Sequence, residues 1–250
     1  MIAILIIAML SLGACSRSTQ PVETTVGNKT STAPSAAAAK EEKETLVRFI
    51  NATQGTKDVY YRDMAAFTKV PSQTVTPYVG LPGGRQDSKH DLKLYNSANE
   101  VGTPLTVNAE GVPQNVGRHY TVLAVDQDSK PALKVIPDEM KPPEPGKAKV
   151  RLIHAAPGID KLDIFRAGDE EGIFSGQSFA QVTEYKEIDP ATIELTVRKR
   201  GSKTDGLKLK DVKLEPHKLY TFVLLGGEGK PLACKVIEDE LLPRREIRNK

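Results

Sequence analysis

The feature that most constrains this chain is that it repeats itself. VRFINATQG at 47–55 returns as VRLIHAAPG at 150–158, with the same Val-Arg, the same apolar pair and the same closing glycine. The likeness extends well past that phrase. HDLKLY (90–95) matches IELTVR (193–198), RHYTVLAV (118–125) matches KLYTFVLL (218–225), and KVIPDE (134–139) matches KVIEDE (235–240), all in the same order. A period of about 100 residues is far longer than the 20–50 of a solenoid repeat, so the pattern predicts two tandem domains of ordinary size.

Each copy reads as strands. Ile193, Leu195 and Val197 alternate with Thr192, Glu194, Thr196 and Arg198, the period of two expected of a sheet with one wet face. Leu207 and Leu209 alternate with Lys208 and Lys210 in the same way, whereas TVLAV and YTFVLL are continuously apolar and predict central, well-covered strands. Turn residues recur at Gly55, Gly117, Pro157-Gly158, Gly201, Pro216 and Gly226-Gly227, and no helical period is sustained. The expected fold is all-β: two immunoglobulin-like or fibronectin-like sandwiches, at 46–140 and 148–243. Tyr220 and its counterpart Tyr120 stand where the hydroxyl of such a sandwich's corner tyrosine bonds back to the chain upstream.

The flanks differ in kind. MIAILIIAMLSLGAC has no charge, and its apolar run at 2–12 is shorter than the roughly 20 residues of a membrane span, so it reads as a secretory segment. Leu12, Gly13, Ala14 and Cys15 resemble the bacterial lipobox, which implies that Cys15 is lipidated and anchors the mature chain to a membrane. Residues 16–45 are poor in large apolar side chains and predict a disordered tether. The proline-rich stretch 141–147 predicts a semi-rigid spacer that leaves the two cores little to share. The basic stretch 244–250 reads as a solvated tail.

The phrases VRLIHAAPG, DIFRAG, LTVR, LEPHKLYTFVLLGG and KVIEDE together resemble bacterial secreted proteins with tandem copies of domain of unknown function 4397, many of them lipoproteins. The resemblance implies the bacterial cell envelope as location and carries no activity.

Chemistry is sparse in the residues themselves. Formal charge is only +3, with no clustered basic footprint, which argues against nucleic acid. His90, His119, His154 and His217 stand at no metal-ligand spacing, so neither a metal nor another cofactor is expected. Asp160 and Asp163 read as turn and strand-start residues rather than calcium ligands. Cys234, alternating with Leu232 and Val236, reads as a small buried hydrophobe. Tyr60, Tyr61, Tyr78, Tyr95 and Tyr185 are the available sugar-stacking rings in a chain without tryptophan.

The candidate recognition residues sit on the two glycine-closed turns: Asn51, Thr53 and Gln54 in the first copy, and His154, Pro157 and Asp160 in the second. Because Asn51 replaces His154, no acid or base is common to both copies. The expected function is a non-enzymatic, lipid-anchored envelope module that binds a protein or polymer. A purely structural spacer and an enzyme assembled from distant residues are the alternatives.

Overall fold

The computed structural model describes residues 44–82, 89–97, 103–113, 117–127, 130–202, 206–227 and 229–239. The lipobox, nearly all of the tether and the basic tail lie outside them. The first half holds β1 (Glu44–Asn51), β2 (Lys57–Tyr61), β3 (Met64–Val70), β4 (Thr74–Val75), β5 (Val79–Pro82), β6 (Lys89–Asn96), β7 (Thr106–Pro113), β8 (His119–Gln127) and β9 (Lys130–Asp138). The second holds β10 (Ala148–His154), β11 (Lys161–Arg166), β12 (Gly172–Ser178), β13 (Lys186–Ile188), β14 (Ala191–Lys199), β15 (Leu207–Leu214), β16 (Leu219–Gly227) and β17 (Lys230–Asp239). The fold is all-β and sandwich-like, as its alternation predicts, and β1 takes in Glu44 and Thr45 from the end of the expected tether.

Both halves use one strand order. Sheet β4-β1-β8-β9, with β5 also paired to β1, faces sheet β3-β2-β6-β7 in the first, and β13-β10-β16-β17 faces β12-β11-β14-β15 in the second, where β13 takes the place of β5. In each, the opening phrase of the repeat lies parallel to the penultimate strand: Val47 beside Tyr120 in β1–β8, and Val150 beside Tyr220 in β10–β16. The corner tyrosine forms as expected, with the Glu215 N–H donating to Tyr220 Oη at 3.0 Å. Cys234 is a free, half-buried thiol packed on the second core, and burial pushes its pKa up to about 12.

The central strands are apolar on both faces because both faces are covered. Val47 and Phe49 of β1, with Tyr120, Val122 and Ala124 of β8, fill the first sandwich. Val150 and Leu152 of β10, with Tyr220, Phe222 and Leu224 of β16, fill the second. The intervening residues form a third core, with Ile50, Leu123, Val125 and Ile136 packed against Ile153, Ala155, Ala180, Val223 and Leu225. The four sheets therefore stack in four layers, and the two inner sheets share an apolar interface. This corrects the expectation of cores with little in common: the spacer joins two sandwiches already in contact. Full burial of a Val, Leu or Ile side chain is worth about 1.5–3 kcal/mol, so a core of this size outweighs whatever stiffness a seven-residue spacer supplies.

The spacer is itself tied to the second half. The Glu144 N–H donates to Glu187 Oε1 at 3.0 Å, Lys149 Nζ donates to the Pro142 carbonyl at 3.1 Å, and the His217 N–H donates to the Lys147 carbonyl at 2.7 Å.

Candidate functional site

The two predicted turns begin at the ends of β1 and β10, where an amide and an imidazole perform one task. Asn51 is fully buried. Its Nδ2 donates to the carbonyls of Gly55 at 3.0 Å and Val70 at 2.9 Å, while its Oδ1 accepts from the Thr53 N–H at 3.1 Å and Thr53 Oγ1 at 2.7 Å. His154 is equally buried. Its Nδ1 accepts from the Ala156 N–H at 3.3 Å, which leaves the proton on Nε2 to donate to the Ile159 carbonyl at 3.0 Å. Each side chain braces its own turn's backbone, Asn51 tying it to the end of β3 at Val70 as well, and neither reaches solvent.

Burial lowers the His154 pKa from 6.5 to about 4, against smaller upward pulls from the Ile159 carbonyl and Asp160. A histidine whose folded pKa is depressed contributes stability that is present above the unfolded value and lost as pH falls toward the folded one. Between pH 6.5 and 4 the unfolded chain takes up a proton that the folded chain refuses. Stability should therefore fall by up to about 1.4 kcal/mol per pH unit across that window. His154→Asn, which installs the first copy's solution, should flatten this dependence in urea midpoints measured at pH 7 and 4.5. An unchanged slope would assign it to other groups.

The remaining candidate residues divide by exposure. Thr53 is buried, Gln54 is exposed with its N–H on Asp126 Oδ2 at 3.1 Å, Pro157 is half-buried and Asp160 is exposed. Asp163 points away from the turn: its Oδ1 accepts the N–H of Gly176 at 2.5 Å, at a positive-φ position in β12. Asp58 does the corresponding work in the first half, accepting the Lys69 N–H at 2.6 Å.

Although about a hundred residues apart in sequence, the turns meet. Ala52, Thr53 and Gln54 line one side of a cleft whose other side is Pro157, Gly226, Gly227 and Lys230, with about 20 Å³ of space in it. That is room for about one water. Lys230 Nζ donates across it to Ser72 Oγ at 3.1 Å. Gly227 has φ +83°, and a Cβ there would come within 2.0 Å of the Pro157 carbonyl oxygen, so only glycine allows the chain so close.

At the opposite end of the interface lies a site that sequence reasoning missed. Arg48 and Arg151 stand in the middle of apolar strands, and each reaches into the other half. Arg48 Nη1 meets Asp239 Oδ1 at 2.6 Å, and Arg151 Nη2 meets Asp138 Oδ1 at 2.5 Å, with all four side chains at most 2% exposed. Thr121 accepts Arg48 Nε at 2.8 Å and donates to Asp138 Oδ2 at 2.7 Å. Thr221 accepts Arg151 Nε at 2.8 Å and donates to Asp239 Oδ2 at 2.5 Å. Tyr78 and Tyr185 close the two ends, donating to Asp138 at 2.7 Å and Asp239 at 2.8 Å. Their rings lie 4.9 and 4.7 Å from the Arg48 and Arg151 guanidinium carbons.

This is an isologous contact within one chain, with equivalent residues exchanging partners across a pseudo-two-fold axis. Two cations and two anions cancel. Burial alone would lower the pKa of Arg48 and Arg151, but the facing aspartates and tyrosines outweigh it and both are raised, so the guanidinium charges persist. Burial, with the adjacent aspartates, holds both phenols protonated as donors. The signal was present in the sequence: an arginine at the same place in two otherwise apolar strands, and the Asp of KVIPDE and KVIEDE.

The other aromatic and histidine candidates are dispersed. Tyr61 is buried, Tyr60 and Tyr95 meet edge to face at 5.1 Å, and His119 is buried edge-on to Tyr78 at 4.9 Å. Among the described residues no three His, Cys, Asp or Glu side chains group as metal ligands would.

Residues 45–165 match the model of a domain of unknown function, DUF4397. The matched segment begins in β1, spans the first sandwich and ends in β11. No protein of curated function matches the sequence. Among solved structures, the C-terminal domain of AlgF from P. aeruginosa is 23% identical over 38% of this chain and 99% of its own, with a TM-score of 0.32. A structure described as α-glucan binding by a streptococcal virulence factor is 12% identical over 76% of this chain and 96% of its own, with a TM-score of 0.23.

Proposed function

We propose that this chain is a non-catalytic module of a bacterial cell envelope, anchored through a lipid on Cys15, that binds a protein or polymer partner at the turn-bearing end of its paired sandwiches. The observation that carries the reading is the convergence of the two turns on one cleft. Thr53 and Gln54 come to it from one half and Pro157 from the other, each held by a strand that is covered on both faces. Loops aimed by a rigid scaffold are where binding residues concentrate. A role without catalysis is supported by the equivalence of Asn51 and His154: the imidazole bonds its own turn, and an amide does the same job in the other copy. The anchor rests on Leu12-Gly13-Ala14-Cys15. A second copy of domain of unknown function 4397 in the second half is supported by the order its strands share with the first, β10-β16-β17 against β1-β8-β9 and β12-β11-β14-β15 against β3-β2-β6-β7.

The test replaces the exposed parts of both turns, 54–56 and 157–158, with Gly/Ser of equal length, sparing Asn51 and His154. After circular dichroism confirms folding, the chain is used to retain partners from envelope extract. Loss of the retained species is expected. Unchanged retention would assign the turns to scaffolding and favour a spacer. In cells, Cys15→Ser should leave an unprocessed precursor that carries no lipid, and normal processing of that variant would overturn the anchor.

A further inference from the structure

We propose that the second sandwich binds one acyl chain of an anionic amphiphile, entering between its two sheets at the turn-bearing end. The inference goes beyond the partner-binding reading and does not depend on it. A cavity of about 280 Å³ opens there, bounded by Ile159, Leu162, Val197 and Leu232, with Arg198, Lys199, Ser202 and Gly206 completing its lining. The first three belong to the second apolar core and Leu232 packs against it, so the cavity is a stretch of core that the described side chains leave unfilled. Its size lies near the lower end, about 300 Å³, of small-molecule sites, which suits one alkyl chain and excludes two. An apolar cavity of this kind gains nothing from water, whereas an alkyl chain would supply the missing dispersion contacts.

The head of the ligand is set by Lys199. It pairs across β11–β14 with Leu162, so both side chains leave the sheet on the core-facing side. Leu162 is 1% exposed, whereas Lys199 is exposed, so a lysine stem laid along the apolar wall would bring its ammonium to the lip. An apolar slot with a cation at its mouth matches a carboxylate or phosphate on an alkyl chain.

The first sandwich provides an internal comparison. Val59 pairs with Leu94 as Ile164 pairs with Val197, and two residues earlier Lys57 pairs with Asn96 as Leu162 pairs with Lys199. At that position the first half carries a plug. Lys57 is 4% exposed, and its ammonium donates to the Gln54 carbonyl, closing the end of the sandwich with its own side chain. The second half has Leu162 in place of the plug, with the cation moved to the facing strand and out to the rim.

The probes are sodium octanoate, decanoate, dodecanoate and tetradecanoate, titrated calorimetrically into the full chain below their micelle concentrations. Affinity should rise about fourfold per methylene, the ratio that corresponds to burying one CH₂, and level off once the cavity is full. Lys199→Glu should weaken dodecanoate roughly tenfold, the effect of losing one charge-assisted bond, and leave dodecanol binding unchanged. Leu162→Lys should abolish binding of both. If that variant does not fold, Leu232→Phe, which fills the cavity with apolar volume, should do the same. Affinity that climbs with chain length without levelling off, or that ignores Lys199→Glu and the filling variants, would identify surface adsorption and overturn the site. Phosphatidylglycerol vesicles separate the two sources of the chain. Vesicle binding lost in the filled variant points to a membrane lipid, and binding of free acids alone points to a soluble fatty acid.

Discussion

Arg48→Ala should lower the unfolding free energy by about 3–5 kcal/mol, the loss found when one partner of a buried ion pair is removed. The cost comes less from the missing contact than from what remains. Asp239, with its side chain 0% exposed, would keep only Thr221 and Tyr185 among the described residues as donors for a full negative charge. Arg151→Ala should be equally damaging, because Asp138 would then keep Thr121 and Tyr78 as its hydrogen-bond donors among the described residues, with the Arg48 charge acting on it without a hydrogen bond. The informative variant is the double exchange Arg48→Asp with Asp239→Arg, which restores neutrality across the same gap and should recover part of the loss. Urea unfolding of the wild type, Arg48→Asp, Asp239→Arg and the double exchange, treated as a double-mutant cycle, measures the coupling. Additive losses would mean that the residues act as separate polar groups rather than as a pair.

Leu123→Ala should cost about 2–5 kcal/mol, the range for a Leu truncated in a packed core. Its larger consequence is where the loss is felt. Leu123 is on β8 in the first half, but it faces Val223, Leu225 and Ile153 of the second. Amide exchange should therefore accelerate in β10 and β16 as well as in β1 and β8, and unfolding should remain a single transition. Exchange confined to the first half, with a second transition left intact, would show two domains that fold independently and merely touch. Thr53→Ala, which leaves the Asn51 carbonyl oxygen one partner short without opening the interface, is a suitable control of local effect.

Much of this architecture could be read locally, for a physical reason. Alternation such as that of Ile193, Leu195 and Val197 is a property of the extended backbone, whose side chains point to opposite faces in turn, so strand identity needs no knowledge of neighbours. The duplication then made the halves equivalent, and the upstream bond of Tyr220 followed from its place in the phrase. The turns were also placed correctly. Their braces were not distinguished from binding groups, because Asn51 and His154 look polar and available in a sequence and are buried only once Val70 and Ile159 close over them.

What covers the second face of a central strand is a non-local matter. Alternation puts Arg48 and Ile50 of β1 opposite Val47 and Phe49, but it does not say whether that opposite face meets water or protein. Two features of tertiary structure decided it. The parallel pairing of β1 with β8, which no short turn can dictate, set Arg48 beside Thr121. The stacking of the two inner sheets then brought Asp239 and Val223 over that face. A charge in an apolar strand was visible in VRFI and VRLI from the start; that it is neutralised by the other copy depends on contacts spanning 191 residues of chain.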